Sequence, residues 1–135
     1  TETETEFVMP NPYAGSRILV VEDNPEILSA CQRGLEIQGF QVVTALNGRD
    51  AIARLSEDLP FDLLFSDIVL PGDMSGIDVQ REAHRLQPTI KSILTTGYAD
   101  VEGVGNISGV KDTDILRKPY SRKDLLDRIE AALAS

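Results

Sequence analysis

Three segments of this sequence end in residues able to handle a hard cation or a phosphoryl group. Asp67 closes the apolar run Phe61-Asp62-Leu63-Leu64-Phe65-Ser66, and Glu22 and Asp23 close Arg17-Ile18-Leu19-Val20-Val21. Lys118, followed by Pro119, closes the stretch Thr113 to Arg117. If these runs are neighbouring parallel strands, three carboxylates and an ammonium converge at one sheet edge. Clustered carboxylates repel one another, and burial without a counterion raises their pKa values. A divalent cation and Lys118 relieve that repulsion. Mg²⁺ takes oxygen ligands, binds through one or two carboxylates and keeps waters that a phosphate oxygen can replace. The pattern points to Asp23 and Asp67 as direct ligands, Glu22 acting through water, and a backbone carbonyl near Val69 completing the set. Asp67 is also the candidate nucleophile, because carboxylate attack on phosphorus gives an aspartyl phosphate. The Thr96 hydroxyl and the Lys118 ammonium are the donors available to the transferred oxygens.

Taken singly these residues say little. An Asp after a strand is most often a loop residue or a helix cap. Glu22-Asp23 ahead of Asn24-Pro25 also fits helix-start chemistry, where the dipole favours acids. The reading therefore rests on the elements that carry them.

From Arg17 onward, strand-like and helix-like patterns alternate. Strands are expected near Arg17–Val21, Gln41–Ala45, Asp62–Ser66, Lys91–Thr95 and Asp114–Arg117. A first helix over Pro25–Gln38 has Asn24 as its cap and Pro25 at a favoured first position, with Gly39 ending it. Its inward face is Ile27, Leu28, Cys31 and Leu35. A second helix over Gly48–Glu57 turns Ala51, Ile52 and Leu55 inward. A third starts at a Ser75–Asp78 capping box and stops before Pro88. The last, Arg122–Ala134, opens on a Ser121–Asp124 box and carries Leu125, Leu126, Ile129, Ala132 and Leu133 as an apolar stripe. A helix over 100–107 contains Gly103 and Gly105, each costing about 1 kcal/mol relative to alanine, so a short or frayed element is expected there.

Such alternation implies right-handed crossovers and a parallel sheet with helices on both faces. Strands buried on both faces read as continuous apolar runs, as the first and third do. Ligands of such sheets bind beyond the carboxyl ends of the strands. Glu22, Asp23, Asp67, Thr96 and Lys118 all fall at those ends, on four different strands.

The chain has 135 residues, enough for one domain, and a formal net charge of −9. Residues 1–15 read as a flexible tail or linker and 16–135 as the folded domain. The acidic balance argues against direct nucleic-acid binding and against contact with an anionic membrane. No stretch is long enough to span a bilayer, and the Thr-Glu start is not a secretory signal. The single cysteine, Cys31, excludes an internal disulfide, fits a reducing cytoplasm and is expected to be buried filler. The only histidine, His84, is expected on the solvated face of the third helix. An excised fragment is expected because a starting methionine is absent, and no output domain is expected after the last helix.

Four segments, Val20-Val21-Glu22-Asp23-Asn24, Ser66-Asp67-Ile68-Val69-Leu70-Pro71-Gly72, Thr95-Thr96-Gly97-Tyr98-Ala99 and Lys118-Pro119-Tyr120, occur in order and resemble the signature segments of response-regulator receiver domains. The resemblance runs from about Arg17 to Ala134. It implies a flavodoxin-like five-stranded sheet in the order 2-1-3-4-5, and a phosphoacceptor that takes its phosphoryl group from a phosphohistidine with Mg²⁺. Asp67 matches the acceptor, Glu22 and Asp23 the acidic pair, Thr96 the switch hydroxyl and Lys118 the family's lysine, with a cis Lys118–Pro119 bond. The implied partner is a histidine kinase or histidine phosphotransfer domain, and the domain itself is expected to be a monomer or weak dimer. Leu70-Pro71-Gly72-Asp73-Met74-Ser75-Gly76, Thr95-Thr96-Gly97-Tyr98-Ala99 and Leu116-Arg117-Lys118-Pro119-Tyr120 are similar in particular to the carboxyl-terminal receivers of hybrid sensor histidine kinases.

The sequence departs from the family pattern in three places. The loop after Asp67 is one residue longer than in many receivers. Ile115 stands where an aromatic often swings inward, so the usual coupling to Thr96 is not expected, and ordering of residues 97–112 becomes the expected response to phosphorylation. Val69 and Tyr98 flank the acceptor and cannot position a water as an acid or amide does, which predicts slow self-dephosphorylation. Two other classes compete. A stand-alone receiver acting by protein–protein interaction also fits, with the hybrid-kinase receiver favoured over it. A haloacid-dehalogenase-type phosphatase shares the Asp nucleophile, Mg²⁺ and lysine, but needs a second acid two residues on, where this chain has Val69.

Overall fold

A computed structural model describes residues 11–57, 59–97 and 115–135. The five strands are β1 (Arg17–Val21), β2 (Gln41–Ala45), β3 (Leu63–Asp67), β4 (Lys91–Thr96) and β5 (Ile115–Arg117). Among the described residues four helices join them: α1 (Pro25–Ile37), α2 (Gly48–Leu55), α3 (Gly76–Leu86) and α4 (Arg122–Ala134). Every strand pairing is parallel, and the order is β2-β1-β3-β4-β5. The expected doubly wound, flavodoxin-like sheet is the one observed.

Side chains alternate across a strand, so each strand feeds two cores. Ile18 and Val20 of β1 and Leu63 and Phe65 of β3 pack with Leu28 and Leu35 of α1 and Leu125 and Ile129 of α4. Leu19, Val21 and Leu64 point the other way, onto Ala51 and Leu55 of α2 and Val79 and Ala83 of α3. This double burial is why β1 and β3 are unbroken apolar runs. It leaves the strand ends as the place where charged side chains can gather.

The helix starts are set by local chemistry. The Asn24 side chain accepts from the amides of Glu26 and Ile27. Ser75 with Asp78 and Ser121 with Asp124 form complete capping boxes. Gly39, with φ of 96°, takes the left-handed turn that ends α1. Within the stretch read as a tail, the Asn11 side-chain amide donates to the Gln38 carbonyl at 2.7 Å and the Gly15 amide to the Gly39 carbonyl at 2.8 Å. Tyr13 packs against the α1–α4 side of the core.

Several expectations shift. Ile27 does not join the inward face of α1; it is 51% exposed, while its neighbour Leu28 is buried in the core. The second helix stops at Leu55, where the Ser56 hydroxyl bonds back to the Ile52 carbonyl. β3 lies one residue later than expected and includes Asp67, whose neighbour Ile68 donates to the Thr95 carbonyl at 2.9 Å. β4 extends to Thr96. The expected element over 100–107, the expected ordering across 97–112, Tyr98 and the start of the fifth strand at Asp114 concern residues that lie, apart from Gly97, outside the described ones. His84 is exposed on α3, as expected.

Cys31 is half-buried beside the α1–α4 core, and burial pushes its thiol from 9.0 up to about 11. The thiolate is the reactive form. Native protein at pH 8 is therefore expected to react with iodoacetamide roughly a hundredfold more slowly than urea-unfolded protein. Comparable rates would show that Cys31 is not held in the core as described.

Candidate functional site

Parallel register brings the candidate residues to one level. Val21 pairs with Ser66, so Glu22 follows level with Asp67, and Asp67 itself pairs with Thr95. Thr96 pairs with Arg117, which places Lys118 one step beyond it. The Lys118 amide donates to the Thr96 carbonyl at 2.9 Å, fixing the lysine backbone to the end of β4. The Lys118–Pro119 bond is cis, as the family resemblance implied.

The side chains then converge. Glu22, Asp23 and Asp67 each offer a carboxylate oxygen, and these atoms lie within 4.8 Å of one another. Lys118 Nζ donates to Asp67 Oδ2 at 2.8 Å. Glu22 and Asp67 are buried, with 8% and 9% of their surface exposed, whereas Asp23 is open to solvent. The Asn24 amide approaches Glu22 Oε1 at 3.3 Å and the Val69 amide approaches Asp67 Oδ1 at 3.4 Å. Behind them the Tyr120 ring meets Phe65 edge-on, with centroids 6.2 Å apart, and closes the apolar floor.

The electrostatics are those of a crowded anionic pocket. Burial raises the Glu22 pKa above its usual 4.5, and the hydrogen bond and charge of Asp67 add to the rise. The Asn24 amide and the Lys118 charge oppose it without cancelling it. Burial alone would lower the Lys118 pKa, but the hydrogen bond to Asp67 and the charges of Asp67, Glu22 and Asp23 raise it overall. Lys118 is thus held as a cation. Three carboxylates against one ammonium leave two formal negative charges, the deficit that a divalent cation fills. Oxygen-only donors of this kind suit Mg²⁺ rather than a softer metal.

The response regulator receiver domain family matches residues 18–130. The chain belongs to that family. It is 37% identical over 117 residues to the response regulator receiver protein CpdR of Brucella abortus, covering 87% of this chain and 96% of that protein. It is 30% identical to the response regulator SaeR of Staphylococcus aureus over 87% of this chain but only 50% of SaeR, so it spans half the length of that relative. Among solved structures it resembles the receiver domain of the hybrid histidine kinase CckA, with a TM-score of 0.71, 29% identity, and coverage of 87% of this chain and 99% of that one.

Within this receiver, Glu22, Asp23, Asp67 and Lys118 meet as the sequence pattern required. Thr96 is buried at the end of β4, and its hydroxyl is turned onto the Gly97 carbonyl at 3.3 Å. The Val69 side chain is 57% exposed beside the pocket.

Gly76 is a positioning residue that the sequence reading noted only as part of the long loop. A Cβ there would lie 2.0 Å from the Asp67 carbonyl oxygen and 2.9 Å from Ile68 Cα. The Gly76 amide also donates to the Ile68 carbonyl at 2.8 Å. The start of α3 is therefore pressed against the backbone of Asp67 and Ile68. The available signal was a glycine at a helix's first position, where nothing about helix formation asks for one.

Gly76→Ala is expected to cost about 3 kcal/mol in urea unfolding, since the clash is with backbone that cannot rotate away. A loss below about 0.5 kcal/mol, typical of a surface change, would show that α3 does not bear on Asp67 in this way.

Proposed function

We propose that this receiver accepts a phosphoryl group onto Asp67 from a phosphohistidine on a histidine kinase or histidine phosphotransfer domain. The observation that carries the reading is the Lys118–Asp67 ion pair set inside the Glu22–Asp23–Asp67 cluster. A carboxylate that served only structure would be matched by its lysine; here the charge is left unbalanced in an open pocket. An oxygen of Asp67 attacks phosphorus, the bond from phosphorus to the donor imidazole nitrogen breaks, and its electron pair returns to the ring. Lys118 follows the new negative charge from the carboxylate to the phosphoryl oxygens, and the Thr96 hydroxyl supplies a further donor once it rotates from the Gly97 carbonyl. Asp23 and Asp67 would hold Mg²⁺ directly, Glu22 through water, with the Val69 carbonyl completing the set. Mg²⁺, when bound, supplies positive charge against the transferring phosphoryl oxygens.

We place this chemistry in the cytoplasm, in keeping with one free cysteine. Among the described residues no helix is long and apolar enough to cross a membrane. For the parent protein we favour a hybrid sensor histidine kinase, on the loop and Lys-Pro-Tyr segments and the likeness to the CckA receiver. A stand-alone receiver is the second reading, favoured by the match to 96% of CpdR. A phosphatase is disfavoured because Val69 occupies the place of the required second acid.

Incubation with Mg²⁺ and acetyl phosphate is expected to add one phosphoryl group per chain by mass spectrometry, and Asp67→Asn to abolish it. Continuous release of phosphate would instead identify a turnover enzyme. The phosphorylated form is expected to decay slowly, and Val69→Asn to hasten decay by about tenfold by orienting a water. Decay slower in the variant than in wild type would contradict the role given to Val69.

A further inference from the structure

The β3–α3 loop is held at its two ends by Ile68 on Thr95 and by Gly76 on Ile68. Its middle leaves the sheet and lands on the start of α2. Gly48 is buried there, and a Cβ on it would lie 2.6 Å from Met74 Cβ and 3.2 Å from Val79 Cγ2. Met74 packs into the core on the α2–α3 side. One residue on each side of this contact, Arg49 and Asp73 form an ion pair. Both are exposed, so the pair sets register more than it stabilises. This end of α2 is linked to the other acidic loop through the end of β2. It follows β2 by two residues, and the Glu22 amide donates to the Ala45 carbonyl at 3.1 Å. Asn47 stiffens the junction by accepting from the Asp50 amide at 2.8 Å.

The short segment from the end of β2 to the start of α2 therefore touches both loops that carry the carboxylates, at Ala45 on one side and at Gly48 on the other. We propose that Gly48 and Met74 are positioning residues for the cation: their contact braces the Glu22–Asp23 loop against the Asp67–Val69 loop and so sets the affinity of the acidic cluster for Mg²⁺. The proposal rests on the phosphoacceptor reading above. Gly48 must be glycine for Met74 to seat. Met74 must reach α2 for the loop carrying Val69 to be fixed in mid-span as well as at its ends.

The test compares Met74→Ala and Gly48→Ala with Leu133→Ala, which removes packing on the opposite face of the sheet. Mg²⁺ dissociation constants are measured by NMR titration, and amide exchange of residues 68–74 is followed in cation-free protein. Both brace variants are expected to weaken Mg²⁺ binding by about tenfold, the scale seen when support behind a metal ligand is lost. Exchange across 68–74 is expected to quicken before any metal is added. Leu133→Ala is expected to lower the melting temperature while leaving Mg²⁺ affinity unchanged. Wild-type affinity and exchange in Met74→Ala would overturn the proposal, as would an equal loss of affinity in Leu133→Ala. If wild type itself neither binds Mg²⁺ nor takes a phosphoryl group, the phosphoacceptor reading fails and the brace fails with it.

Discussion

Two buried carboxylates, Glu22 and Asp67, and a third, Asp23, bring oxygens within 4.8 Å of one another, with one ammonium, Lys118, paired to Asp67. At an effective dielectric near 20, a like-charged pair at that separation repels by roughly 3 kcal/mol. The protein tolerates this in two ways. Lys118 is held close to Asp67, and burial together with Asp67 raises the Glu22 pKa above its usual 4.5. Neither removes the anionic surplus. A divalent cation at this cluster would relieve the same repulsion that the fold has to overcome.

The remainder of the structure serves to keep that strain in place. Two apolar cores on opposite sides of the sheet hold β1 and β3 side by side, in a register that leaves Glu22 level with Asp67. Lys118 is tied to the neighbouring strand through the Thr96 carbonyl. From behind, Gly76 presses α3 onto the Asp67 backbone, and from the side Met74 rests on Gly48. A carboxylate cluster on mobile loops would relax by moving apart. Here each acid-bearing segment is pinned at a point where its backbone cannot retreat.

Much of this was legible in the residues. The apolar runs, the caps at Asn24, Ser75 and Ser121, and the helix-ending Gly39 are local signals, and they placed the elements to within a residue or two. The convergence of Glu22, Asp23, Asp67 and Lys118 followed from strand ends alone, because parallel strands must bring their carboxyl ends to one edge. What stayed hidden was contact between parts distant in sequence. Ile27 has the right spacing for the core face, yet is exposed. Gly76 looks unremarkable until the Asp67 carbonyl is found against it. The Gly48–Met74 contact depends on where a long loop lands, which periodicity does not encode.

The account stands on a divalent cation occupying the acidic pocket. Crystals grown with Mn²⁺ in place of Mg²⁺ would show its position directly by anomalous scattering. The account predicts one strong peak bonded to carboxylate oxygens of Asp23 and Asp67, with Lys118 still paired to Asp67. A pocket without a peak at saturating Mn²⁺, or a peak remote from those two aspartates, would contradict it.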